Sequence, residues 1–542
     1  MINKIKLKIN NQKMTGTEGE TILEVAERNG IEIPTLCHHK DFCAKGNCRV
    51  CVVEVKGNNK LVTSCSTKAS AGMEIMTESD KIKKVRNVNI ELIYAEHVEK
   101  CATCVWRFEC KLLEFAQKYQ TKIVRFTDRK KNRQIHKLKN ALEIDGTQCI
   151  DCRNCISACQ DLQKLDCLVM RGKGHGQEVD FKDSKKNPCI LCGQCALHCP
   201  VSAIQEQTNY EDLEREIKDK QKTVVVILDP IMELSIGENF DMKNIELNSV
   251  AAALKQMGVN YVFNSALGVE INAHLQSEHI LENNGGEVMI GSHCPATVNY
   301  IKQYQPALAK NLQKIKSPAM VMGGLIKTYW ADKQKLDPEK ISVISIGVCV
   351  ARKNEIVEKK MQFNGLWPVD YVLTLRELSF LLKKHKLDLT KSKIKNIDSL
   401  NNELADLFST SVFASILGRL KLANQITKVD GKQNIHNLDE VLLLQNESGK
   451  ELASLKGIGE VNKIINHLEK YSYLEIMSCP DGCLGGGGQP IPTTKELRKK
   501  RKHAFLAKKL PKNFNQKKLD GQIVDILEWL ESNNLVNKIL FS

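Results

Sequence analysis

No stretch of about 18 or more consecutive apolar residues occurs in this 542-residue chain, which leaves no candidate for a transmembrane helix. Aromatic residues make up only 5%, and no nucleic-acid recognition motif accompanies them, so a nucleic-acid role is disfavoured. No glycine-rich nucleotide-binding motif follows a predicted strand, so direct NAD(P)H chemistry would need another subunit. The opening MINKIKLKIN alternates like an edge strand and lacks a signal peptide's apolar stretch, so the expected location is cytoplasmic. The length exceeds one ordinary core, and several domains are expected.

What the chain has in excess is cysteine. There are 21, with 17 before residue 200 and then only Cys294, Cys349, Cys479 and Cys483. Disulfide-rich chains are typically short and secreted; here the cysteines fall in tight Cys-x-x-Cys groups, which points to thiolate–metal chemistry. The net charge is +15, part of it in Lys499-Lys500-Arg501-Lys502, Lys508-Lys509 and Lys517-Lys518. A solvated lysine-rich surface explains that excess, and a docking face for an acidic redox partner such as ferredoxin is the sharper alternative.

The strongest local signal is a doubled C-x2-C-x2-C-x3-C: Cys149, Cys152, Cys155, Cys159 and then Cys189, Cys192, Cys195, Cys199, followed by Pro200. In two-cluster ferredoxins the fourth cysteine ligates the other cluster. The expected 4Fe–4S sets are therefore Cys149, Cys152, Cys155, Cys199 and Cys189, Cys192, Cys195, Cys159. Cys37, Cys48, Cys51 and Cys65 suggest a 2Fe–2S centre in a β-grasp module, with Cys43 competing with Cys37 because Cys43-x4-Cys48-x2-Cys51 fits plant-type spacing. Between these blocks, His97, Cys101, Cys104 and Cys110 fit zinc when read alone. Flanked by iron–sulfur modules, they fit a 4Fe–4S centre with one imidazole ligand.

The expected architecture is α+β and multidomain: a 2Fe–2S ferredoxin-like domain at 1–78, a small helical His/Cys3 module at 79–144, a two-4Fe–4S module at 145–208, and an α/β domain at 220–542. Within it, a helix is expected over Thr21–Asn29, a charged helical stretch from Ser79 to Ile144, and a helical linker over Asn209–Lys222. Strands are expected at Val224–Leu228, Tyr261–Phe263, Ile341–Val348 and Tyr473–Met477. The late cysteines follow or close such runs, which points to one buried site at strand ends.

This order of modules resembles the larger iron-only (FeFe) hydrogenases. Glu475–Pro490, EIMSCPDGCLGGGGQP, is similar to the family's third signature, Ser292-His293-Cys294-Pro295 to the first, and Gly347-Val348-Cys349 to the second. Lys316-Ser317-Pro318 and Ile326-Lys327-Thr328-Tyr329 resemble the segment after the first signature. The resemblance implies that Cys294, Cys349, Cys479 and Cys483 hold the 4Fe–4S part of an H-cluster, with Cys483 bridging to a diiron subcluster supplied by dedicated maturases. Met477, Pro230 and Ser317 would stand beside it. Cofactors would then be one 2Fe–2S cluster, three accessory 4Fe–4S clusters and the H-cluster.

Several positions depart from the family pattern. His293 stands where a proton-relaying cysteine is usual, and Gln313 where the proton path has a serine. The family's proton-path glutamates have no clear counterparts in Ile271–Ile280. Arg352 replaces a lysine that donates to cyanide, Asp229-Pro230 stands for Ala-Pro, and a glycine-rich stretch is depleted near Phe413–Gly418. His293, Arg352 and Asp229 are therefore the expected catalytic-site variables. Three readings follow: a hydrogenase with an altered proton route, an H2-sensing relative with slow turnover, and an electron-transfer subunit without the diiron site.

Overall fold

The computed structural model describes residues 3–183, 188–243, 245–283, 286–391, 397–400, 411–422, 426–427, 441–446, 450–508 and 515–542. Strands Lys4–Ile9 and Gln12–Thr17 form a hairpin whose two-residue turn places Asn10 and Asn11 at φ 50° and 64°. Asparagine tolerates that left-handed geometry, and the turn's twist matches the strands it joins. Lys4–Ile9 also pairs in parallel with Glu74–Met76, so it is an interior strand. The alternation suggested an edge. Leu7 and Ile9 are buried under the helix Ile22–Arg28, and Gln12–Thr17 takes the edge instead. That helix starts at a Thr21–Glu24 capping box and stops at Asn29, before Gly30 at φ +75°.

The charged stretch after residue 79 is helical only in part. Helices Asp80–Ala95 and Lys111–Lys118 are followed by an antiparallel pair, Ile135–Leu138 and Leu142–Asp145. Leu142–Asp145 pairs in turn with Ile204–Glu206, so this sheet crosses the expected division at 144/145. Arg86, fully buried, ties the first helix to the preceding domain. It donates to the carbonyls of Val50, Val52 and Thr77 and pairs with Glu78 at 2.9 Å.

The two cysteine blocks share one backbone shape, which the doubled spacing foreshadows. In each, the residue before the second cysteine (Asp151, Leu191) and the residue after it (Arg153, Gly193) have φ between 56° and 76°. The short helices Asn154–Ser157 and Gln194–Leu197 follow. Asp151 N donates to Cys149 Sγ at 3.3 Å, and Leu191 N to Cys189 Sγ at 3.4 Å. Three non-glycine residues in the left-handed region cost backbone energy, which fits a loop shaped to aim amides at sulfur.

After helix Tyr210–Lys218, the chain builds two sheets rather than one. The first is all parallel, in the order Tyr261–Asn264, Thr223–Leu228, Ile341–Gly347, Tyr371–Thr374. Its central strands are buried on both faces, hence their unbroken apolar runs. In the second, Met289–Ile290, Tyr471–Met477 and Glu451–Lys456 are parallel neighbours, and Val441–Asn446 and Ile426–Thr427 continue it antiparallel. Four carboxyl ends converge on the loops carrying Asp229, His293-Cys294, Cys349 and Cys479. The stretch Val412–Leu422 is a helix packed on Ala266–Asn283. No helix among the described residues is long and apolar enough to cross a membrane.

Candidate functional site: a chain of thiol clusters ending in a buried cavity

In the N-terminal domain, Cys37 Sγ accepts the Cys48 amide at 3.5 Å and Cys51 Sγ lies 3.4 Å from Cys65 Sγ. All four are buried, whereas Cys43 is exposed. Hydrogen bonding to Cys37 holds the Cys48 thiol down at about 6, and the same contact pushes Cys37 up. Such a pair is already arranged for thiolate ligation.

Cys149, Cys152, Cys155 and Cys199 line one small cavity. Cys159, Cys189, Cys192 and Cys195 line another, joined by Cys167. The fourth cysteine of each block thus faces the other block's cavity. Burial pushes the Cys149, Cys189 and Cys192 thiols up to about 12, because low-dielectric surroundings penalise an uncompensated thiolate. Cys167 donates its amide to Cys159 Sγ at 3.3 Å.

Cys101, Cys104 and Cys110 lie within electrostatic reach of one another, and burial raises each. His97 Nδ1 is 2.8 Å from the Gln148 carbonyl. A carbonyl only accepts, so Nδ1 carries the hydrogen and the Nε2 lone pair is free to bind a metal. Burial lowers the His97 pKa and keeps the ring neutral, as ligation requires.

The groups abut. Asn154 donates to the Cys37 carbonyl at 3.2 Å and Asn47 to the Asp151 carbonyl at 2.8 Å, joining the N-terminal domain to the first cavity. His97 reaches the same cavity through Gln148, the neighbour of Cys149. Cys155 feels Cys195 in the next block, and Cys479 feels Cys192. The last joint is made by glycine. A Cβ on Gly487 would fall 2.1 Å from the Cys192 carbonyl, and one on Gly193 would fall 2.7 Å from Val350 Cγ2. The glycine run lets the terminal loop lie directly on the ferredoxin turn.

The terminal cavity is lined by Asp229, His293, Cys294, Cys349, Arg352, Lys456, Glu475, Met477 and Cys483, among others. Cys479 sits within electrostatic reach of Cys294, Cys349 and Cys483. Burial pushes Cys349 up to about 11 and Cys483 well above its usual range. Arg352 Nη1 pairs with Asp229 Oδ2 at 3.4 Å, while its Nε is buried without a hydrogen-bond partner among the described residues. His293 Nε2 lies 3.1 Å from Glu475 Oε1. Burial pushes Glu475 up, but His293, Ser454 and Lys456 outweigh it and the net shift is downward.

Sequence reasoning gave Glu475 no role, although it lies two residues from Met477 and so on the same strand face. Pro230 is buried but only its neighbours Asp229 and Ile231 reach the lining. Ser317 faces a second cavity of about 200 Å³ and donates to Glu355 at 2.9 Å; Gln313 lines that same cavity. Glu355 reaches both sides, since it lines the second cavity and acts electrostatically on Cys349. Elsewhere, His39, Asp41 and His198 cluster between domains, but Arg498 pairs with Asp41 at 3.3 Å and supplies a fixed cation there.

Comparison with known proteins bears on both ends of the chain. Residues 222–487 match the C-terminal domain of the iron only hydrogenase large subunit, and residues 3–80 a 2Fe-2S iron-sulfur cluster binding domain. The NADP-reducing hydrogenase subunit HndD of Solidesulfovibrio fructosivorans is 27% identical, over 94% of this chain and 93% of its own length. Iron hydrogenase 1 of Clostridium pasteurianum is 29% identical, over 91% of this chain and 90% of its own. A variant of the apo [FeFe]-hydrogenase HydA1 from Chlamydomonas reinhardtii shares the fold, with a TM-score of 0.52 at 18% identity over 62% of this chain and 98% of that one.

Proposed function

The chain belongs to the iron-only hydrogenase family and carries a 2Fe–2S domain, and from that premise we propose that it oxidises H2 or reduces protons at a buried terminal site and exchanges electrons with a redox partner through four accessory clusters. The observation that carries this reading is that Cys294, Cys349 and Cys483 line one cavity while Cys479 lies within electrostatic reach of all three and of Cys192.

The donor set fits an H-cluster. Four partly buried thiols suit a cubane, and Arg352 Nε, without a partner among the described residues, offers a donor to an anionic ligand beside it. When bound, the diiron group would supply an open metal position that polarises H2. The chain's own residues then have defined tasks. The four cysteines would hold the cubane, and Met477 walls the cavity. His293, whose Nε2 lies 3.1 Å from Glu475 Oε1, keeps a proton site facing the cavity. Clusters held by Cys189, Cys192, Cys195 and Cys159 and by Cys149, Cys152, Cys155 and Cys199 would supply a route for electrons out of the site. From the second of these the route would divide toward a centre held by His97, Cys101, Cys104 and Cys110 and a 2Fe–2S centre held by Cys37, Cys48, Cys51 and Cys65.

The proposed partner is a ferredoxin-like protein or a companion subunit, with maturases supplying the diiron group; the proposed setting is cytoplasmic. The relative HndD, named as a subunit of an NADP-reducing hydrogenase, favours the companion subunit. Infrared spectroscopy of protein matured with the diiron cofactor tests the reading. Fe–CO and Fe–CN bands with measurable H2 turnover are expected, and their absence after confirmed maturation refutes it. One observation favours the H2-sensing variant of this function. Glu475, beside His293, accepts from Ser454 and the Phe413 amide, both buried, which suits slow proton delivery. Bands with very slow turnover would select it, and faster turnover in His293→Cys would show that the relay limits the rate.

A further inference from the structure

Two of the departures from the family pattern, Asp229 and Arg352, meet Gly347 at one point. Asp229 follows the strand Thr223–Leu228, Gly347 ends the neighbouring strand Ile341–Gly347, and Arg352 opens the short helix Arg352–Glu355. The backbone N–H of Asp229 donates to the Ile346 carbonyl at 3.0 Å, and its Oδ1 accepts from the Ile231 amide at 3.3 Å, which fixes the carboxylate at the strand end. Its other oxygen takes Arg352 Nη1 at 3.4 Å. A Cβ on Gly347 would stand 3.2 Å from Asp229 Cβ, 3.4 Å from its Oδ2 and 3.6 Å from Arg352 Nη1. The ion pair therefore occupies the space into which a side chain at 347 would grow.

We propose that Asp229, Gly347 and Arg352 form one unit in which Asp229 is a positioning residue: it holds the guanidinium over Gly347 so that the Nε edge faces the cavity as the donor to a cyanide of the bound diiron group. This rests on the diiron reading above. The planar guanidinium has a rigid fork, so engaging Nη1 on Asp229 fixes where Nε points. Nε is buried with no partner among the described residues, a costly state unless a ligand completes it. The pair also changes the charge balance. Arg352 acts favourably on the Cys349 and Cys483 thiolates, while Asp229 opposes Cys483, so the carboxylate subtracts much of the charge that Arg352 brings. A lysine without an acidic neighbour, as in the family pattern, would leave a more positive pocket.

The unit makes a coupling prediction that three independent substitutions would not. Wild type, Asp229→Ala, Gly347→Met and the double variant are loaded with a synthetic diiron dithiolate carbonyl–cyanide complex, with the accessory clusters in place. Cyanide-stretch frequencies, complex bound per chain and the thermal midpoint before loading are measured. In Asp229→Ala the cyanide bands are expected to move and broaden, because the guanidinium is no longer held. Gly347→Met alone is expected to melt lower and take up severalfold less complex, and adding Asp229→Ala is expected to recover both. Unchanged cyanide bands in Asp229→Ala would overturn the positioning role while wild-type bands leave the diiron reading intact. Equal melting and uptake of Gly347→Met and wild type would overturn the unit. If wild type takes up no complex, the diiron reading and the donor role fall together. The melting of the four proteins then decides whether the three residues pack as one.

Discussion

Glu355 is buried at the wall between the two cavities, and burial lifts its pKa to about 7 despite Arg352 and the Ser317 hydroxyl. An unfolded glutamate titrates near 4.3, so between about pH 4.3 and pH 7 the folded state binds more protons. Stability from this residue is therefore lost as pH rises through that window. Glu355→Gln keeps a neutral acceptor for Ser317 and is expected to match wild type near pH 4, then become the more stable protein by up to about 3 kcal/mol above pH 7. Melting curves across that range check the sign. Arg86 makes the opposite case, since its charge is satisfied by three carbonyls and Glu78. Arg86→Met strands those carbonyls and is expected to cost about 3 kcal/mol, read from denaturant midpoints.

At the scale of elements, the glycines that follow the last cysteines have tasks the sequence only hinted at. Gly487→Ala must push its Cβ off the Cys192 carbonyl, 2.1 Å away, and backbone is on the other side. The variant is expected to melt lower and to pass electrons more slowly between the Cys192 cluster and the terminal site, measured as slower reduction of one after flash reduction of the other. The run reads plainly as a place of close approach, but which backbone approaches is a long-range fact carried by neither segment alone. The same divide runs through the whole site. Cys-x2-Cys spacing is local chemistry and legible, and so were the strands before Cys349 and Cys479, while the short strand Met289–Ile290 before Cys294 was not. The union of Asp229 with Gly347 and Arg352 was not, because they are joined only by strand register. The interior position of Lys4–Ile9 escaped too, since alternation reports one buried face and not the number of neighbours.

Across the whole molecule, charge and wiring meet at the helix Lys495–Ala507. Its buried arginines fasten it: Arg498 to Asp41 and Asp481, Arg501 to Glu238. Lys495, Lys499 and Lys500 are exposed beside the 2Fe–2S domain, which the helix touches through Asp41. An acidic redox partner is expected to be steered there. Lys499→Glu/Lys500→Glu should slow association with a ferredoxin severalfold at low ionic strength, and the difference should vanish at about 0.5 M salt, where the Debye length is only a few ångströms. Stopped-flow reduction at several salt concentrations measures it.

The joint between the terminal loop and the Cys192 turn has one further consequence, for how such a protein can change over generations. Because backbone meets backbone there, a substitution can break the junction but has no side chain to trim, lengthen or recharge. Adaptation of the electron flow has to come from the residues around the joint, and the joint itself is inherited whole or lost.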